Sequence, residues 1–406
     1  MQDKFSGYQL FVVSLLAFLQ FTVVLDFMIL SPLGALLLEK LSVAPSQFGL
    51  VVSAYAFSAG LSGLLAAGFA DRFDRRKLLL FFYAGFVFGT FLCGIAPTYR
   101  FLLFARVITG LFGGVISSIS FAIVADLFPL SMRGRVMGLV QTSFAASQVL
   151  GLPIGLYLAT RWGWHAPFRM IVGVSLLAGV FIILKLQPIT AHLGAASSKH
   201  SPIEHLVRTA TRGRYLVGFS ATMLLATGGF MLMPFGSTFL VQNLGIPLAK
   251  LPMLYMMTGT SAIFAGPLLG RLSDSIGKYR MFAIGSVVTA ILVVWYTGLT
   301  HASLGFVIGL NIALFASISA RMVSSSALTS ALPELSDRGA YMAISSSLQQ
   351  LSGGVAAWSA GLIVHQATPT SALEGYSKLG WVVVAAVAVT MGLMFNVHRI
   401  VARKPA

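Results

Sequence analysis

Apolar runs of about 18 or more residues, each long enough to cross a bilayer as a helix, recur along the whole of this chain. They fall at approximately 9–37, 48–70, 78–96, 100–124, 136–159, 167–187, 215–240, 253–271, 281–299, 303–325, 340–365 and 379–398. In hydrocarbon every backbone N–H and C=O must be satisfied within its own segment, so such runs fold as helices. The expected fold is therefore all-α, with twelve transmembrane helices. Composition agrees: 57% of the 406 residues are hydrophobic and only 9% charged, against about 25% charged in a soluble domain. This excludes a water-soluble enzyme and a disordered chain. Cys93 is the single cysteine, which rules out an internal disulfide and a cysteine metal site. The opening MQDKFSGYQL lacks a basic n-region and a small-residue cleavage site, so no cleaved signal peptide is expected.

The net charge of +16 has two physical readings, nucleic-acid binding or the positive-inside rule. Its distribution separates them. With an inside N-terminus and loops alternating sides, nineteen of the 27 Lys and Arg fall inside and six outside, while Arg106 and Arg321 lie within spans. The basic excess is then a topology signal, both termini are cytoplasmic, and no nucleic-acid partner is expected.

The chain also repeats itself. FMILSPLG at 27–34 returns as FMLMPFG at 230–236, and Asp71 with its basic run returns 203 residues on as Asp274 with Lys278 and Arg280. Pro129, Arg133 and Gly134 return as Pro333, Arg338 and Gly339. The reading is two six-helix bundles, 1–187 and 215–406, joined by a basic cytoplasmic linker, 188–214. Parallel repeats of this kind are an arrangement of secondary transporters, with the substrate site between the halves.

Ten of the eleven acidic residues lie in or beside loops; the exception is Asp26, 18 residues into the first span. A charge at mid-helix costs about 2.5–3.5 kcal/mol on the most lenient scale, which marks Asp26 as functional by default. From the helical rise, Asp26 lies about 17 Å below an outer end at Leu37, and Arg106 about 9 Å below the outer end of the fourth span. The two depths allow one shared polar cavity. Two roles follow for the couple: a proton site, or a permanent ion pair that fixes helix packing.

The motifs resemble the major facilitator superfamily over the full length, most closely its twelve-helix drug–proton antiporter branch. AGFADRFDRRK at 67–77 resembles the G-x-L-A-D-R-x-G-R-K signature, with Ala67 and Asp74 at two glycine positions, and GRLSDSIGKYR at 270–280 keeps both glycines. RVITGLFGG at 106–114 resembles R-x-x-x-G-x-x-x-G of the fourth helix. GLPIG at 151–155 resembles the exporters' Gly-Pro motif, with Leu152 intervening, and GWHAPF at 163–168 their turn into the sixth helix, with His165 in place of Arg. The resemblance implies that Asp71, Arg72 and Arg75, with Asp274 in the second copy, latch the outward-facing state. It also implies contacts of the fifth helix with the eighth, and of the eleventh (Ser345, Ser352, Gly354, Gly361) with the second at Ser58–Gly63.

Polar residues on spans that commonly line the cavity in this superfamily are Gln20, Gln141, Gln148, Asn311 and Gln349. An adaptable aromatic and methionine wall would use Phe27, Tyr55, Phe230, Tyr255, Met256 and Trp358. Arg321, near the inner end of the tenth span, is expected to snorkel to the cytoplasmic interface. The linker histidines lack metal-ligand spacing, and no nucleotide loop or nucleophile–base pairing occurs. The expectation is a proton-coupled exporter of a small organic molecule in a bacterial-type cytoplasmic membrane. It works as a monomer among lipids, without cofactor, metal or enzymatic activity. A proton-coupled importer or facilitator of a sugar or organic acid, and a transporter-like membrane sensor, are the alternatives.

Overall fold

The computed structural model describes residues 5–69, 73–190, 202–334 and 337–403. Among them the chain is helical apart from loops and one isolated antiparallel bridge, His365 with Glu374. The long helices are α1 (Gly7–Ile29), α2 (Pro45–Phe69), α3 (Arg75–Ile95) and α4 (Tyr99–Leu127). Then come α5, over 130–162 in three pieces, and α6 (Ala166–Lys185). The second series is α7, opening with Gly213–Leu232, then α8 (Leu251–Ile276), α9 (Lys278–Thr297), α10 (Leu304–Ser330), α11 (Arg338–Ile363) and α12 (Tyr376–Ala402). Eleven of the described helices are long and apolar enough to cross a membrane. The remaining long one is α11, diluted by its serines and by Gln349 and Gln350.

Side chains fix the helix starts. Ser6 accepts from the Gln9 N–H while the Gln9 side chain returns the bond, a reciprocal cap for α1. Thr98 and Ser303 cap α4 and α10 through the Phe101 and Phe306 N–H groups. Asp74, at a motif position where glycine was the pattern, caps α3 at the Arg76 N–H and also accepts from the Ile189 N–H. The first apolar run breaks at 30–33 and resumes as a short helix, Gly34–Lys40, where Pro32 denies the ladder a donor. A helix, Pro202–Thr211, occupies part of the expected linker.

Mutual contacts divide the chain into two compact units. One holds Met1–Leu30 with Ala54–Ile203, the other Ser31–Ser53 with Glu204–Ala406. Within the first, α1 packs on α5 and α6, and α3 on α4 and α6. Within the second, α7 packs on α11 and α12, and α9 on α10 and α12. Adding six to each label in the first set gives the second, so the sequence repeat is also a repeat of packing. Large apolar side chains such as Phe81, Phe104, Leu184, Phe264 and Trp381 are exposed, as suits helices whose solvent is lipid.

Candidate functional site

In the first unit, backbone proximity comes before charge. A Cβ on Gly110 would stand 2.1 Å from Ser58 Oγ and 2.4 Å from the Tyr55 carbonyl, and one on Gly114 2.4 Å from the Ala59 carbonyl. Only glycine fits, so the R-x-x-x-G-x-x-x-G spacing presses α4 against α2. Arg106, one turn before Gly110 on the same helix face, is thereby laid over the Tyr55 ring, 4.5 Å from its centroid.

The Arg106 side chain meets Asp26 of α1 there. Nη1 donates to Oδ2 at 2.8 Å and to the Asp26 carbonyl at 3.3 Å. Thr90 of α3 donates to Oδ1 at 3.1 Å. Both charged side chains have no exposure at all. In place of the expected shared polar cavity the structure has a direct, fully buried ion pair. It is also incompletely satisfied: Nε and Nη2 of Arg106 have no hydrogen-bond partner. Desolvating a pair costs several kcal/mol per ion unless close geometry and added hydrogen bonds offset it. Protonating Asp26 would take away the charge that holds Arg106, leaving a buried cation among carbonyls and an aromatic face.

The GLPIG segment borders the same carboxylate. α5 runs Leu130–Ala146, widens into a π-helical turn at Ser147–Gly151, and continues as Leu152–Trp162. Ser147 Oγ donates to the Phe21 carbonyl of α1. A Cβ on Gly151 would come within 2.6 Å of Leu25, and one on Gly155 within 2.6 Å of Ile29. The motif therefore packs on α1 on both sides of Asp26.

Other candidates in this unit fall as follows. Gln20 exchanges hydrogen bonds with Ser117, Phe27 lies 5.2 Å from Tyr55 ring to ring, Gln148 is half-buried and Gln141 exposed. Asp71 and Arg72 lie outside the described residues. Arg75 is buried, and its Nε donates to Asp126 of α4 at 3.1 Å. His165 reaches the Ala96 carbonyl at the end of α3.

In the second unit Phe230 packs on Gly353, Tyr255 and Gln349 are half-buried, and Met256 and Trp358 are exposed. Asn311 donates to its own helix at the Val307 carbonyl. Asp274 is exposed and paired with Lys278. α11 meets α2 at Gly49 and Ser53, whose Oγ donates to the Gly354 carbonyl. The expected Ser58 instead bonds its own helix and faces Gly110. Arg321 departs from expectation most. It is 4% exposed and does not snorkel; Nε donates to Ser286 of α9 at 3.1 Å.

Two features were not anticipated. Thr90 completes the Asp26 site, and a lone threonine in an apolar run carries no signal. At the loop before α11, Arg212 donates to Glu334 and Asp337, Arg214 to Glu334, and Tyr215 to Asp337. The Arg212 hydrogen bond, then that from Arg214, holds the Glu334 carboxyl below its ordinary range.

Comparison with known proteins places this geometry. The sequence model described as Major Facilitator Superfamily matches residues 16–357, and again 218–405. An uncharacterised MFS-type transporter of Bacillus subtilis, YceJ, is 29% identical over 67% of this chain and 69% of its own. A probable sugar efflux transporter of Mannheimia succiniciproducens is 26% identical over 72% and 70%. Among solved structures, a bacterial homologue of the human lysosomal transporter Spinster superposes with a TM-score of 0.76 at 15% identity. It covers 99% of this chain and 100% of its own. The nucleoside transporter NupG gives 0.72 at 14%, covering 96% and 99%. With the repeat, the packing and a family model spanning most of its length in agreement, this chain belongs to the Major Facilitator Superfamily.

Proposed function

We propose that the protein is a proton-coupled secondary active transporter that exports a small organic molecule by alternating access. One observation carries the reading: the fully buried Asp26–Arg106 pair at 2.8 Å, whose carboxylate is the one the sequence sets deep in an apolar run. An intramembrane carboxylate held by a single cation is a group whose protonation changes the energy of its surroundings. Asp26 takes a proton when its site opens to the outside and Arg106 is released. It gives the proton up to the more alkaline cytoplasm, and the pair re-forms. Asp71 and Arg72, with Arg75, act as the conformational latch, and Asp274 as its second-half counterpart. The two bundles are 1–187 and 215–406, in a bacterial-type cytoplasmic membrane with both termini inside. A relative named for sugar efflux supports export over uptake.

The test is substrate flux in proteoliposomes under an imposed pH gradient. Asn at position 26 resembles the protonated carboxyl but cannot cycle. Asp26→Asn should abolish uphill, gradient-driven flux while leaving ligand binding in place. Uphill flux by Asp26→Asn with unchanged pH dependence would assign the proton elsewhere. Acid outside should drive substrate out; substrate driven inward by the same gradient would make the protein an importer.

A further inference from the structure

The second unit holds a buried cation that the proton-coupling reading does not use. Arg321 sits on α10, and its stem lies against α9, where Gly285 leaves room: a Cβ there would meet Arg321 Cγ at 3.2 Å. Beyond the Ser286 bond, its guanidinium lies 5.8 Å over the Phe282 ring, and Nη2 has no hydrogen-bond partner. One turn earlier on α10, Ser317 accepts from Thr289 at 2.9 Å; one turn later, Ser324 is 3.0 Å from Ser273 of α8. Arg321 thus occupies the middle of a buried seam of hydroxyls where α8, α9 and α10 meet.

Among the described residues no carboxylate enters that seam. In the second unit Glu39 pairs with Lys40, Asp274 with Lys278, Glu334 with Arg212 and Arg214, and Asp337 with Arg212. Glu374 has its backbone tied to His365, and Glu204 stands on the helix Pro202–Thr211. The contrast with Arg106 is direct, since the first unit supplies its buried guanidinium with a carboxylate. A guanidinium keeps its charge at any physiological pH, and an unpaired buried charge is costly. A chain that retains one here gains from an anion that is not part of the chain. The α8 side of the seam has space: a Cβ at Gly266 would meet nothing within 4 Å, and one at Gly270 only Val323, at 4.0 Å.

We propose that Arg321, with Ser286, forms an anion-binding site that takes the carboxylate of the transported molecule, so that the substrate class is an organic carboxylate. The guanidinium offers its Nη1–Nη2 edge, where Nη2 has no partner, to two carboxylate oxygens, and Ser286, whose Oγ accepts from Nε, donates its own hydroxyl hydrogen to a remaining lone pair. This deepens the transport reading and rests on it, but its test needs no proton gradient. Purified protein is melted with graded acetate, benzoate and citrate, with bromide at equal ionic strength, and with the cation tetraphenylphosphonium. A ligand that binds only the folded state raises the melting temperature with concentration. At least one carboxylate should stabilise the wild type well beyond bromide or tetraphenylphosphonium. Apparent affinity should fall at least tenfold in Arg321→Gln and in Ser286→Ala, and persist in Asp26→Asn. Should Arg321→Gln fail to fold, Ser286→Ala and Arg321→Lys carry the test, the lysine keeping the charge but losing the planar fork. Equal stabilisation of wild type and Arg321 variants overturns the site. So does a wild type that no carboxylate protects, or that bromide or tetraphenylphosphonium protects as well. Loss of flux in Asp26→Asn without loss of carboxylate binding separates the two readings.

Discussion

Asp26 and Arg106 announce themselves in the sequence because charge is expensive in lipid and so rarely placed there without use. Their partners do not. Thr90 and the face of Tyr55 belong to the site through helix rotation, which residue spacing along one span leaves open. The same limit explains Arg321: its depth is readable from the sequence, but whether its stem turns inward to Ser286 or outward to the interface is decided by α9. Removing one member of a buried pair strands the other, at a cost of about 3–5 kcal/mol, whereas replacing both with apolar groups of similar size is often neutral. Arg106→Ala should therefore melt well below wild type in thermal unfolding of the purified protein. Asp26→Leu with Arg106→Met should recover much of the loss. An Arg106→Ala protein as stable as wild type would mean that the pair contributes no net stability.

Two interruptions set the positions of these groups. The break at 30–33 ends α1 three residues beyond Asp26, a stop foreshadowed by Pro32 and Gly34 in the sequence. The π-helical turn at Ser147–Gly151 left no comparable signal: GLPIG announces close packing, and a widened turn is set by what the helix packs on. A π turn is an α-helix with one residue too many. Deleting one residue within 147–151 should let α5 close into a regular helix with both flanks in phase. The same deletion in regular α4 would rotate everything after it by about 100°. The α5 deletion variant should reach the membrane and remain monodisperse on size exclusion. It should lose gradient-driven flux, because Ser147 and Gly151 no longer meet α1 beside Asp26. Full flux in that variant would show the turn to be incidental to coupling.

Fold class and repeat were the most legible features of the whole molecule, since both rest on long-period apolar patterning that local detail does not disturb. Topology is an expectation from charge: on the positive-inside rule the nineteen-to-six asymmetry predicts that 188–214 faces the cytoplasm. Ser198→Cys in a Cys93→Ala background should then label in intact cells only with a membrane-permeant thiol reagent, and efficient labelling by an impermeant one would reverse the orientation. The two repeats share their packing but not their electrostatics. Deep within the spans, Asp26 and Arg106 of the first balance each other, while Arg321 of the second has no carboxylate beside it among the described residues. Such a charge feels the electrical field across the bilayer, worth about 2.3 kcal/mol per elementary charge for a full crossing of 100 mV. A bound carboxylate would neutralise Arg321; without one that charge stands. The substrate-free carrier, in which Arg321 is unpaired and protonation of Asp26 also frees Arg106, should therefore reorient at a rate set by voltage, and the loaded carrier, with both guanidinium groups paired, should not. Net efflux from proteoliposomes clamped with potassium and valinomycin should vary with the imposed potential, while one-for-one substrate exchange should be indifferent to it. Equal voltage sensitivity of the two modes would mean that neither the Arg321 nor the Arg106 charge changes depth in the field during the cycle.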